Sequence, residues 1–208
     1  WRINTLPLVP LTEWSRKLKK PIIHISTDHF YDYGNNFPHK EEDILIFKNN
    51  YAMHKYCAEK FALNSDFSLI LRTSFTGRKN DGENQTFWEW ALSVVDEDKE
   101  AILFEDAFTS VLDVGTFAKS LIQLMEKNIY GLFNVSSSEV FSKLDFVETL
   151  AKQRKRKLSK IEIGSVHSLE TKRANCLGLD SSKVQQELDF KLPPMKEVIK
   201  NLILSEEK

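Results

Sequence analysis

Glycine is scarce in this chain: seven among 208 residues, at positions 34, 77, 82, 115, 131, 164 and 178. None are spaced as G-x-G-x-x-G or G-x-x-G-x-x-G after a strand, so the glycine loop that lets a dinucleotide pyrophosphate approach the backbone is missing. A Walker loop and a G-x-S-x-G nucleophile elbow are missing too. Cysteine is scarcer still, with Cys57 and Cys176 alone, which gives no disulfide framework and fits a reducing compartment, the cytoplasm. The five histidines at 24, 29, 39, 54 and 167 have no H-x-x-x-H or Cys/His ligand spacing, so no metal site is expected. No apolar run approaches the length of a bilayer span, and no signal-peptide pattern is present. Neither charge sign dominates: 29 basic residues stand against 30 acidic ones, which points to no nucleic-acid and no membrane partner.

What is there is an ordinary globular composition, 41% hydrophobic and 28% charged, long enough to bury one substantial core. The chain is organised around residues 22–55. Ile22–Ile25 is a short apolar run between Pro21 and the polar Ser26-Thr27-Asp28, the pattern of a buried parallel strand. After a loop rich in glycine, asparagine and acids, Asn49 or Asn50 can cap a helix that carries Tyr51 and Lys55. Positions i and i+4 share a helix face. A lysine ammonium beside a phenol favours the phenolate, which makes Tyr51 a candidate proton donor or acceptor. A hydroxyl at the end of the strand, Thr27, can hold a substrate oxygen beside it. Tyr-x-x-x-Lys by itself arises often by chance; strand, Ser-Thr-Asp and Tyr-x-x-x-Lys in this order is more specific.

With these residues the chain resembles the extended short-chain dehydrogenase/reductases, and within them the dTDP-4-dehydrorhamnose reductase branch. Ser26-Thr27-Asp28-His29-Phe30 is similar to its S-T-D-x-V-F, and Asn49–Lys55 to its N-x-Y-G-x-[ST]-K. Ala52 stands where glycine is usual and His54 where a small hydroxyl residue is usual. The resemblance implies an α/β fold, a doubly wound parallel Rossmann-like sheet lacking its N-terminal Gly-rich βαβ units, with a smaller C-terminal α/β substrate-binding part. Residues 1–80 are expected to be the C-terminal part of the cofactor-binding domain. Residues 81–208 are expected to be mostly substrate-binding, interleaved with remaining Rossmann elements. Because the family carries its glycine loop at the extreme N-terminus and this chain begins at Trp1, an N-terminally truncated fragment is expected, one that neither binds dinucleotide well nor turns over.

The resemblance implies Thr27, Tyr51 and Lys55 as the catalytic set. It implies Ser26, Tyr51, Lys55, Arg72, Thr73 and Ser74 toward NADPH or NADH. Toward a nucleotide sugar it implies Thr27, Asp28, His29, Phe75, Thr109 and Arg173, and it allows a homodimer. Arg72-Thr73-Ser74-Phe75 follows the strand Phe67–Leu71, outside whose carboxyl end open α/β sheets place ligands. Phe75 can face a ligand or pack the core. Arg173 can clamp a diphosphate or pair with an acid. His54 points away from the Tyr51–Lys55 face, and the basic run 152–157 reads as a solvated helix end. The implied activity is reduction of a 4-keto-6-deoxy nucleotide sugar. The alternatives are an epimerase or dehydratase of the same superfamily, or a non-catalytic subunit such as the regulatory subunit of methionine adenosyltransferase. A dehydratase normally places an acidic pair after the hydroxyl, whereas Asp28 is followed by His29.

Elsewhere, periodicity predicts helices over 2–18, 86–95, from 106–114 through Met125, after Ser142, over 181–188 and over 195–204. It predicts strands at 101–104, 131–135 and 161–163.

Overall fold

The computed structural model of the protein describes residues 1–31, 38–79, 84–169 and 174–206. Its first helix, α1 (Leu8–Leu18), starts later than the apolar pattern predicts. Pro7 fixes the entry, and Pro10 is tolerated because the amides of a first helical turn have no partner within the helix. Lys19 ends α1 in the left-handed region at φ 52°. Pro21 then leads into β1 (Ile22–Ile25).

Asn49 opens α2 (Asn50–Ala62), its side chain accepting from the Ala52 amide at 2.8 Å. Then come β2 (Ser68–Thr73) and the short β3 (Phe75–Thr76). A capping box of Thr86 and Glu89 starts α3 (Phe87–Asp96). The next three strands are β4 (Ala101–Phe104), β5 (Phe108–Thr109) and β6 (Leu112–Asp113). Asp113 caps α4 (Val114–Glu126), which is followed by β7 (Gly131–Val135) and β8 (Phe141–Ser142). A second capping box, Ser142 with Asp145, starts α5 (Lys143–Arg154). The chain closes with β9 (Ile161–Gly164), a 3-10 turn at Val166–Ser168, α6 (Ser182–Gln185) and α7 (Met195–Ser205).

The fold is α/β, built on a parallel sheet in the order β1-β2-β7. Its central strand, β2, is buried along its whole length. Alternation sends Ile70 to one face, against Leu8 of α1 and Ala58 and Ala62 of α2. Leu69 and Leu71 go to the other face, into the main core with Phe133, Val135 and Phe117 of α4. Crossing from β2 to β7 takes the chain through α3, β4 and α4, so the second half of the sequence completes the sheet begun by the first. Three two-stranded pairings lie outside it: β3–β6 and β4–β9 parallel, β5–β8 antiparallel.

Two predicted elements differ. Residues 106–113 are not the start of a helix, because Phe108-Thr109 and Leu112-Asp113 pair with partners far along the chain, β8 and β3. The helix predicted over 181–188 is helical only at Ser182–Gln185. Among the described residues no helix is long and apolar enough to cross a membrane.

Candidate functional site

Strand β1 delivers Ser26, Thr27 and Asp28 to its carboxyl end, where all three are buried. The Thr27 hydroxyl donates to Asp28 Oδ1 at 3.3 Å and accepts from the His29 amide at 3.2 Å. Burial pushes the Asp28 carboxyl up to about 6, against the charge of His29 and hydrogen bonds from Thr27 and Ser74 that pull it down. His29 lies 3.8 Å from that carboxylate through Nε2, with half of its side chain open to solvent.

Across from the strand end stands the first turn of α2. Tyr51 is exposed, and its ring meets His29 edge-on with centroids 5.9 Å apart. One turn on, Lys55 extends its ammonium to the Ile25 carbonyl at 2.5 Å. Burial pushes Lys55 down from the ordinary lysine value. Thr27, Tyr51 and Lys55 are therefore gathered around the end of β1. Neighbouring His24, buried on the same strand, is pushed down to about 4 by burial and by the charge of Lys55. It stays neutral near pH 7.

Beside this group opens a cleft of about 530 Å³. Asp28, His29, Ser74, Phe75 and Thr109 line it, as do the aromatic rings of Tyr31, Phe87, Phe104 and Phe108. Phe75 does both things its type allows: it faces the cleft and stacks on Phe117 at 4.8 Å. Ser110 does not reach the cleft; it is buried and accepts from the Leu179 amide at 2.9 Å.

Among the described residues, Ser26 Oγ and Thr73 Oγ1 are buried without a hydrogen-bond partner, at the ends of neighbouring parallel strands. Arg72, between them in the sheet, directs its donors into the protein. It pairs with Glu59 at 2.7 Å and donates to the Tyr31 phenol at 2.6 Å and the Glu41 carbonyl at 3.1 Å. Arg173 falls outside the described residues. Among the described residues no group of three or more His, Cys, Asp or Glu could hold a metal ion.

Residue patterns gave no warning of Lys48, Asn49 and Lys143, which also line the cleft. Asn49 was legible as a cap. Lys143 reaches the cleft only because the β5–β8 pairing brings the start of α5 there.

The family of the RmlD substrate-binding domain matches residues 1–207. A probable low-salt glycan biosynthesis reductase of Haloferax volcanii is 27% identical over 185 residues, covering 85% of this chain and 61% of that protein. The dTDP-4-dehydrorhamnose reductase of Aggregatibacter actinomycetemcomitans is 25% identical over 216 residues, 97% of this chain and 72% of that relative. Among solved structures, dTDP-4-dehydrorhamnose reductase of Bacillus anthracis in complex with NADP superposes with a TM-score of 0.84 at 18% identity, over 98% of this chain and 72% of that one. A dTDP-4-dehydrorhamnose reductase of Clostridium acetobutylicum gives 0.84 at 20% identity, over 99% and 73%. These likenesses show the fold, and the chain spans 61% of the length of the Haloferax relative. Strand end, helix turn and cleft thus sit in a recognised framework: the chain belongs to the RmlD substrate-binding domain family.

Proposed function

We propose that this chain is the catalytic and substrate-binding portion of an NAD(P)H-dependent reductase acting on the keto carbon of a 4-keto-6-deoxy nucleotide sugar. The observation that carries the reading is the gathering of Thr27, Tyr51 and Lys55 at the end of β1, beside a cleft walled by aromatic rings. The relatives' names point the same way.

A nicotinamide dinucleotide fits what is here in two respects. Among the described residues Ser26 and Thr73 keep buried hydroxyls without hydrogen-bond partners at the strand ends, and the Lys55 ammonium, reaching from α2, donates to the Ile25 carbonyl just before Ser26. Ser26, Tyr51, Lys55, Thr73 and Ser74 are the groups we assign to hold it. When bound, the reduced nicotinamide supplies the hydride.

The rest falls to side chains. Tyr51 gives its hydroxyl proton to the carbonyl oxygen of the sugar as that oxygen gains charge. The Lys55 ammonium, one turn along α2, stabilises the phenolate left behind. Thr27 turns its hydroxyl to the same oxygen. Its bond to Asp28, at 3.3 Å, is longer than a good O–H···O bond and is given up at little cost. The aromatic wall keeps water from the reacting carbon. Asp28, His29, Phe75 and Thr109 contact the sugar.

Substitution tests the reading in the full-length native polypeptide. Tyr51→Phe is expected to lower reduction of a thymidine-diphosphate 4-keto-6-deoxyhexose by about 100-fold or more while sparing NADPH binding. Full activity in that variant would remove Tyr51 from the mechanism.

A further inference from the structure

Each turnover of the reductase reading leaves Tyr51 without its proton, while the Lys55 ammonium bonds the Ile25 carbonyl through one of its three donors. The proton must come back from solvent. His29 is placed for this. Its ring touches the Tyr51 ring edge-on at 86°, its Nε2 lies 3.8 Å from Asp28, and 50% of its side chain is open to solvent. One residue therefore borders the Tyr51 ring, a buried carboxyl and bulk water.

We propose that His29 returns the proton to Tyr51 after each reduction, with Asp28 steadying the charged imidazole from behind. The proposal rests on the reductase reading of this site. Protons balance over three steps. The carbonyl takes a hydride from NADPH and a proton from Tyr51, leaving an alcohol, NADP and the Tyr51 phenolate. The His29 imidazolium passes a proton to that phenolate, directly or through one water. Neutral His29 then takes a proton from solvent, so one solvent proton is consumed per reduction.

The surroundings suit the task. Just past β1, the Thr27 hydroxyl accepts from the His29 amide at 3.2 Å, which fixes the backbone beneath the ring. Asp28 lies 3.8 Å from its Nε2. From α2 comes Tyr51 itself. The other groups around the same cleft include Ser74, Tyr31, Lys48 and Lys143. Histidine is the side chain that ordinarily exchanges protons around neutral pH. The mutual dependence of the pair is visible from the other partner: the charge of His29 is the largest influence pulling Asp28 back toward the carboxylate range.

A purely structural role would be to hold the Tyr51 ring in place by edge contact. His29→Phe keeps a ring there and removes the proton; His29→Gln removes both ring and proton. Both are assayed in the full-length polypeptide, with NADPH and a thymidine-diphosphate 4-keto-6-deoxyhexose, from pH 6 to 9 and with increasing imidazole. The expected result is a fall in kcat of about tenfold at pH 8 in both variants, smaller at pH 6. Added imidazole should restore kcat in proportion to its concentration.

Wild-type kcat and pH profile in both variants would overturn the proposal. So would a loss that imidazole does not restore at any pH, or a loss in His29→Gln that His29→Phe repairs. Wild-type protein and Tyr51→Phe, run alongside, separate the two levels. If the wild type does not turn over, or Tyr51→Phe is fully active, the reductase reading fails and this proposal with it. If the wild type turns over, Tyr51→Phe is inactive and the His29 variants are normal, the proton-return proposal alone fails.

Discussion

Arg72 on β2 and Glu59 on α2 form a two-pronged ion pair inside the protein, at 2.7–3.2 Å, with neither side chain more than 3% exposed. The same guanidinium lies over the Phe30 ring at 4.9 Å and donates to Tyr31, whose own phenol lines the cleft. Sheet, Tyr51-bearing helix and cleft wall are thereby tied at one point. Burial pushes the Tyr31 hydroxyl up to about 12, so it stays protonated and donates to the Lys40 carbonyl. Arg72→Met would strand a buried Glu59 charge and is expected to cost on the order of 3–5 kcal/mol. Adding Glu59→Leu should recover much of that loss, because the stranded charge and not the lost attraction is the larger cost. Urea denaturation of the two single variants and the double variant measures it.

Two buried groups near the site pull the pH dependence of stability in opposite directions. Asp28 in the native state holds its proton to about pH 6, against 3.8 for an ordinary aspartate. Its contribution to stability therefore falls as pH rises from about 4 to 6, by on the order of 3 kcal/mol. His24 refuses a proton until about pH 4, against 6.5 normally. Its contribution falls as pH drops from about 6.5 to 4, by a similar amount. In the wild type these slopes oppose each other between pH 4 and 6. Asp28→Asn should leave stability rising with pH through that window, and His24→Gln should leave it falling. Denaturant midpoints at pH 4, 5, 6 and 7 decide it; unchanged slopes in both variants would contradict the burial assigned to these groups.

Asn49 links helix stability to the proposed proton donor. Its side chain caps the helix one residue before Asn50 and two before Tyr51, and it also lines the cleft. Asn49→Ala should cost about 1 kcal/mol and lower kcat as the first turn of α2 frays. Asn49→Asp keeps an accepting oxygen and places a negative charge at a helix N-terminus, so it should retain stability. Thermal melting with parallel kcat measurement separates cap from contact: lost activity in a fully stable Asn49→Asp would mean that Asn49 touches substrate.

Much of this was legible locally. Pro21, four apolar residues and a hydroxyl pair mark β1; Asn49 marks α2; Thr86 with Glu89 and Ser142 with Asp145 mark α3 and α5 through capping boxes. Thr27, Tyr51 and Lys55 were named together by the family resemblance, since strand and helix order alone does not fix which side chains meet. What stayed hidden depends on distant partners. The two-residue strands β3, β5, β6 and β8 exist only as pairs, so residues 106–113 carry apolar spacing that a helix would carry equally well. The pairing of Arg72 with Glu59 cannot be read from either residue, since an arginine beside a ligand cleft and one inside a core look identical in sequence. Lys143 joins the cleft for a similar reason: its place is set by β8, not by its neighbours.

Isotope transfer tests the central claim most directly. The full-length native polypeptide is given NADPH carrying deuterium at the transferable C4 position, together with a thymidine-diphosphate 4-keto-6-deoxyhexose, and the product is examined by mass spectrometry. The account predicts one deuterium on the former keto carbon, one NADPH consumed per product, and loss of both in Tyr51→Phe. A product that is epimerised or dehydrated without consuming NADPH, or a deuterated product formed equally well by Tyr51→Phe, would contradict it.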